Sequence, residues 1–394
     1  MHSIRHGWLV AAVLLVSPGV AAGQAGGEQK LAQAAPNLSP AMAEYRRKLE
    51  IYQRARQKFD EEATAYWAAI SEKRKLRFAK RREKQEVGLD DYVLTQPPLY
   101  AGPPKPVDPA RDEEPPTPRK PLPVAADFLR NAAEQFQFVP RKPESEIEFK
   151  RTYARIAAAA GLTREQVVRI YGFESGGNGK YDVQAGLEYS KNGRAISTAL
   201  GYNQLLTTNT VSLLAQSGGD FVKAPRQKAE TLPPDARKAL ERKIAILQRM
   251  ITFTHSVPRA WHEHDKIANT PQGLGAHAMV LDLDVGPLLQ TQKLMDSILF
   301  ARVKGYHKPL SAAELEMMNL TGDGNGFDMV SMPAAMRPKV PTSNFFQRGG
   351  YERNPVAIRN NVVSALLAAT DAKMDKEMTL PGAKDMAAAY DAAR

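Results

Sequence analysis

Glu174 is the residue in this sequence best suited to chemistry. It closes an apolar run, Ile170-Tyr171-Gly172-Phe173-Glu174, and Ser175-Gly176-Gly177 follow at once. Thr163 and Gln166 form a capping box ahead of Val167, so the run reads as a helix that the glycines terminate. A carboxylate in the last turn of a helix meets the negative end of the backbone dipole, and apolar neighbours withhold water from it. Both effects raise its pKa. A carboxylic acid still protonated near neutral pH is what protonation of a glycosidic oxygen requires. The glycines beyond it let a polymer approach the backbone closely.

Taken alone, Glu174 is an ordinary helix-end acid beside a loop. A second stretch changes its weight: Ser197-Thr198-Ala199-Leu200-Gly201-Tyr202-Asn203-Gln204-Leu205-Leu206, with Thr207-Thr208 behind it. Together the two stretches resemble the lytic transglycosylases of the lysozyme superfamily. In that family a Glu-Ser pair ends a helix, and a Ser, small residue, Gly, Leu-Met-Gln, aliphatic motif follows downstream. Glu174-Ser175 match the first motif, and Ser197, Ala199, Gly201, Gln204 and Leu205 match the second in order. The resemblance implies a lysozyme-like helical fold with a small β wing. It also implies Glu174 as the single general acid and then base. Ser175 would help orient the glutamate or the substrate, and Gly201, Tyr202, Asn203 and Gln204 would line the sugar site. The implied reaction cuts peptidoglycan between N-acetylmuramic acid and N-acetylglucosamine, with attack by the muramoyl 6-hydroxyl and a 1,6-anhydro product. No cofactor and no metal is implied. The rival expectation from the same resemblance is a non-catalytic relative that binds glycan or scaffolds a complex.

Three departures from the family pattern stand out. Tyr202-Asn203 replace Leu-Met, and the interval from Glu174 to Gln204 is long. The third family motif, Ala-Tyr-Asn-Gly, has its nearest counterpart in Met317-Met318-Asn319 with Gly322, which lacks the tyrosine. Asn319 is therefore a substrate-site candidate, and Tyr351 or Tyr171 the candidate for the missing ring. No second acid stands out as a nucleophile; Asp182 and Glu188 are nearest in sequence.

Two weaker clusters read as non-sites. His262, His264 and Asp265, with His255 and His277, fit no zinc-ligand spacing and read as an exposed polar loop before a helix. Gly322-Asp323-Gly324-Asn325-Gly326-Phe327-Asp328 begins like a calcium loop but lacks the closing bidentate glutamate, and reads as a flexible turn.

Positioning Glu174 falls to a mainly α-helical domain expected over residues 125–375, with a frayed tail over 376–394. Ser145 with Glu148 opens a helix that Gly161 stops. Val183 to Tyr189 and Arg194 to Ser197 flank Asn192-Gly193 and read as a β-hairpin. Thr208 opens a helix ending near Gly218-Gly219, and Pro233-Pro234 open another toward Phe253. A central helix is expected from about Gly275 to Val303, and a last one from Val356 to Asp375.

Ahead of this domain, residues 96–124 form a proline-rich linker, and residues 42–95 hold a long amphipathic helix. Tyr45, Leu49, Tyr52, Phe59, Ala63, Tyr66 and Ile70 mark its apolar face. The basic run Lys73 to Arg82 reads as a solvated face, and the helix as a possible dock for an envelope complex. Residues 23–41 read as a disordered tether. Residues 1–22 read as a secretory signal: Arg5 and His6, then apolar Leu9 to Val16, then Val20-Ala21-Ala22 at the cleavage positions. The apolar run falls short of the roughly 20 residues a membrane span needs. A periplasmic or secreted product with no transmembrane segment follows. The chain lacks cysteine, so it has no disulfide and no lipid-bearing thiol. Its 54 basic and 43 acidic side chains give a charge of +11, which suits anionic wall polymers rather than nucleic acid once the chain is exported.

Overall fold

The computed structural model describes residues 39–110, 121–187 and 193–393. The expected signal peptide, the tether up to its last three residues, part of the proline-rich segment and Glu188 to Asn192 lie outside the described residues. The protein is mainly helical. The first helices are α1 (Pro40–Arg82), α2 (Ala125–Phe136), α3 (Glu146–Ala159), α4 (Arg164–Ser175) and α5 (Thr207–Glu230). Next come α6 (Pro234–Thr254), α7 (Trp261–Ala268), α8 (Pro271–His277), α9 (Gly286–Val303) and α10 (Ala312–Thr321). The rest are α11 (Asp323–Val330), α12 (Arg348–Glu352), α13 (Pro355–Arg359), α14 (Val363–Glu377) and α15 (Pro381–Asp391).

Two apolar clusters hold these helices. One gathers α3, α4, α10, α11, α14 and α15 around Phe149, Tyr153, Ile170, Leu315 and Met386. The other gathers α2, α5, α6 and α8 around Phe128, Leu214, Leu247 and Met279. α9 joins them, with Leu289 in the second and Leu294 in the first. The loop before α5 bridges them as well: Tyr202 belongs to the first cluster, Leu200 and Leu205 to the second.

Local signals placed several helices as expected. Ser145 Oγ accepts from Glu148 N at the start of α3, and Gly161, at φ +91°, follows its end. Long-range packing overrode others. α5 runs straight through Gly218 and Gly219. A Cβ on Gly218 would lie 2.6 Å from Ile251 of α6, so that glycine permits a close helix crossing instead of ending a helix. The expected central helix from Gly275 is broken into α8, a 3-10 turn over Ala278–Leu281 and α9. The expected helix from Val356 is likewise split into α13 and α14. The calcium-loop-like segment is helix α11, not a flexible turn. The tail does not fray: α15 packs on α3 and α4, Tyr390 Oη donates to Leu162 O and Lys150 Nζ to Gly382 O at 3.0 Å.

No strand forms among the described residues. Where a hairpin was expected, only isolated bridges join Gln184 to Leu200 and Leu200 to Leu205. The backbone turns back on itself too often for a ladder: Gly201 N donates to Val183 O, and Leu200 and Leu205 exchange both bonds.

α1 is not a separate module on a linker. Its C-terminal half lies on the body, where Ala63, Ile70, Arg74 and Arg77 are buried. Trp67 meets Tyr351 edge-on, and Tyr66 Oη bonds Ser343 Oγ at 2.7 Å. The basic run is only partly solvated. Arg77 is fully buried between Asp328, at 2.7 Å, and the ring of Tyr92, at 4.3 Å. Arg81 reaches the other oxygen of Asp328 at 2.6 Å, and Arg74 donates to the carbonyls of Asn344 and Phe346. The proline-rich chain then runs back along α1. Tyr100 packs edge-on against Tyr52 and Phe59, and a Cβ on Gly102 would lie 2.9 Å from Cβ of Ala55.

Candidate functional site

Both halves of the capping box that opens α4 are present, between Thr163 and Gln166. Gly176, at φ +63°, ends the helix, so Glu174 sits in its last turn. α10 crosses beside it. Asn319 Nδ2 donates to Glu174 Oε1 at 2.7 Å, across 145 residues of chain. One turn earlier on α10, Glu316 lies in hydrogen-bond contact with Glu174. Its side chain is only 2% exposed, whereas Glu174 is half-buried. Two cations influence the pair, Lys293 from α9 and Lys373 from α14. Lys373 Nζ stands 3.8 Å over the ring of Phe173 and donates to Phe173 O.

Burial pushes the Glu174 carboxyl upward. The contact with Glu316, the two lysines and the Asn319 amide pull it part of the way back. Glu316 is pushed well up, first by burial and then by the charge of Glu174. Two neighbouring carboxyls resist ionising together, so the pair titrates as a unit with its last proton held toward higher pH. Glu316 Oε2 is buried with no hydrogen-bond partner, which adds to the cost of ionising this carboxyl. The arrangement sets two carboxyls with raised pKa values side by side, one half-buried and one buried.

Of the other expected site residues, the structure brings only Asn319 to Glu174. Ser175 is buried, and its Oγ donates back to Tyr171 O at 2.6 Å. That is a helix-internal bond, so Ser175 steadies the last turn and has no hydroxyl free for a ligand. Tyr202 and Asn203 are interior residues, not sugar ligands. Tyr202 is stacked among Phe149, Tyr153 and Tyr171, with its hydroxyl on Glu146. Asn203 Nδ2 donates to Tyr153 Oη and Gln290 O. Gly201, at φ +81°, lets Gln290 of α9 approach to 2.8 Å of where a Cβ would stand. Gln204, at φ +43°, turns its amide onto Val183 O and Gly201 O, and its buried Oε1 has no partner. This loop is built to lock the two cores together. Neither candidate ring is free: Tyr351 packs against Trp67 and Phe346, and Tyr171 donates its hydroxyl to Gly179 O.

The histidines are not gathered into a loop. Trp261 to Ala268 is helix α7, on which His262 is exposed and His264 is buried against Ser212 Oγ. His277 is fully buried between Thr210 Oγ1 and Thr198 O, and burial holds its pKa down to about 4. No group of three His, Asp or Glu side chains among the described residues could hold a metal ion. No helix among them is long and apolar enough to cross a membrane.

Sequence reading passed over Glu316, Lys293 and Lys373. Glu316 did carry a signal, since Leu315-Glu316-Met317-Met318 places a lone acid in an apolar stretch. An acid there must be paired or neutral once the helix is buried. Comparison with protein-family models, with curated proteins and with solved structures gives no match.

Proposed function

We propose that this chain is an exported, lysozyme-like lytic transglycosylase that cleaves peptidoglycan strands between N-acetylmuramic acid and N-acetylglucosamine. The observation that carries the reading is the contact between the half-buried Glu174 and the buried Glu316, braced by Asn319. In this scheme the pair's proton passes through Glu174 to the glycosidic oxygen as the bond to muramoyl C1 breaks. The muramoyl 6-hydroxyl then bonds to C1 and returns its proton to the carboxylate. No water is consumed, and the pair ends as it began. Glu316 holds the proton in reserve and does not touch the sugar. A hydrolase that used a second carboxylate would need it about 5–9.5 Å away across the scissile bond. Glu316 is too close to Glu174 for that role.

Purified sacculi incubated with the protein supply the test. Mass spectrometry is expected to find 1,6-anhydro muropeptides. Reducing ends in their place would make the protein a hydrolase. Binding to sacculi without release would make it a glycan-binding relative. One observation favours that second reading: Gln204, the expected sugar ligand, is turned into its own loop.

Glu316→Gln tests the role of the pair. The active form needs its proton, and in the wild type burial and the neighbour's charge hold that proton to a higher pH than an isolated carboxyl would. Glutamine at 316 cannot hold that last proton, which in the wild type burial and the charge of Glu174 keep on Glu316, so only Glu174 is left to titrate. The alkaline limb of the rate profile should move toward acid. An unmoved limb would show that Glu316 has no part in proton storage.

A further inference from the structure

A cavity of about 780 Å³ lies between the C-terminal end of α1, the end of α9 and α11. None of Glu174, Glu316, Asn319, Lys293 and Lys373 lines it. Its wall carries five cations, Lys75, Arg81, Arg82, Lys84 and Lys304, and no carboxylate. Four aromatic side chains fill the space between them: Phe78, Phe300, Tyr306 and Phe327.

The cations differ in what they are already doing. Arg81 is committed to Asp328 and Ser331, and Lys75 to Glu72. Arg82, Lys84 and Lys304 have no carboxylate partner among the described residues, and Lys304 Nζ lies 5.5 Å over the Phe300 ring. Lys84 is held in the left-handed region at φ +56°, where the chain leaves α1. A cation in the last turn of α1 and another just past α9 complement the helix dipoles. That accounts for the charge at each end but not for the aromatic floor. Phe78 is 37% exposed at the rim, over Gly324. Like charges around an apolar hollow repel one another and leave aromatic surface wet, and one ligand relieves both costs.

We propose that this cavity binds an amphiphilic anion, a phosphate-type headgroup carrying an aliphatic chain. The headgroup would meet Arg82, Lys84 and Lys304, and the chain would cover Phe78, Phe300, Tyr306 and Phe327. The volume far exceeds that of a free phosphate, so a headgroup alone would leave the apolar floor unfilled. The site stands independently of the carboxyl pair.

Calorimetry of the full chain with dodecyl phosphate, below its micelle concentration, tests this directly. Dodecyl phosphate is expected to bind at least tenfold more tightly than inorganic phosphate or dodecyl maltoside. The double variant Arg82→Glu/Lys304→Glu, at surface positions, is expected to lose at least tenfold. A second variant, Gly324→Leu, fills the space from within a helix and should lose as much while leaving the charges in place. Thermal melts confirm that both variants fold. No binding by the wild type, or equal binding by the wild type and both variants, overturns the proposal. Inorganic phosphate binding as tightly as dodecyl phosphate overturns it too. Flotation with phosphatidylglycerol and phosphatidylcholine vesicles separates the sources. Recovery on the anionic vesicles alone, lost in the double variant, assigns a membrane lipid. Dodecyl phosphate binding without flotation assigns a soluble amphiphile.

Discussion

Glu174→Gln is expected to lower the rate of muropeptide release from sacculi by a factor of about 10²–10⁴, the range for losing a general acid and base. Glutamine has the same shape, and its carbonyl oxygen can still accept the 2.7 Å bond from Asn319. The change removes a proton carrier and little else. It also relieves Glu316 of a neighbouring negative charge, so the melting temperature should hold or rise. Binding to sacculi, measured by pelleting, should persist. Loss of rate with retained fold and retained binding is a combination that a structural role for Glu174 could not produce. Equal rates for the two proteins would remove Glu174 from the mechanism.

Asp328→Ala is expected to cost about 3–5 kcal/mol of stability, the usual result of removing one partner from a buried ion pair. Asp328 is 1% exposed and receives Arg77 at 2.7 Å, Arg81 at 2.6 Å and the Tyr92 hydroxyl at 3.1 Å. Without it, the buried Arg77 guanidinium keeps the Asp91 and Asn344 carbonyls but no counter-charge. The loss should fall on the seating of α1. Limited proteolysis should therefore cut between residues 83 and 95 before the body unfolds. A thermal midpoint within a degree or two of the wild type would show that α1 is held by its apolar contacts alone. Arg77→Met with Asp328→Leu should recover much of the loss, because it removes the fully buried charge and leaves only Arg81, which is partly exposed to water.

What could be read from the sequence was what depends on neighbours in sequence. The Thr163 box and Gly176 fix α4 locally, so Glu174 at its end was legible. Glu316 and Asn319 share a face by their three-residue spacing, but only the packing of α10 on α4 gives that face a purpose. Arg74, Arg77 and Arg81 recur at three- and four-residue steps inside a run that looked evenly basic. The stripe marked a buried face, yet its counter-ion lies some 250 positions downstream in Asp328. Tyr202 and Asn203 misled for the opposite reason. Their motif position suggested a sugar site, whereas the join between the two cores needed a large ring and an amide there.

From Met42 to Arg82, α1 contains neither glycine nor proline, and at 1.5 Å per residue its 43 residues measure about 65 Å. Only the later stretch is seated on the body; the earlier turns carry Tyr100 and the returning proline segment as a splint. Such a braced rod transmits direction as well as distance. Whatever engages the Ser39 end would stand at a set distance and heading from the Glu174 pair.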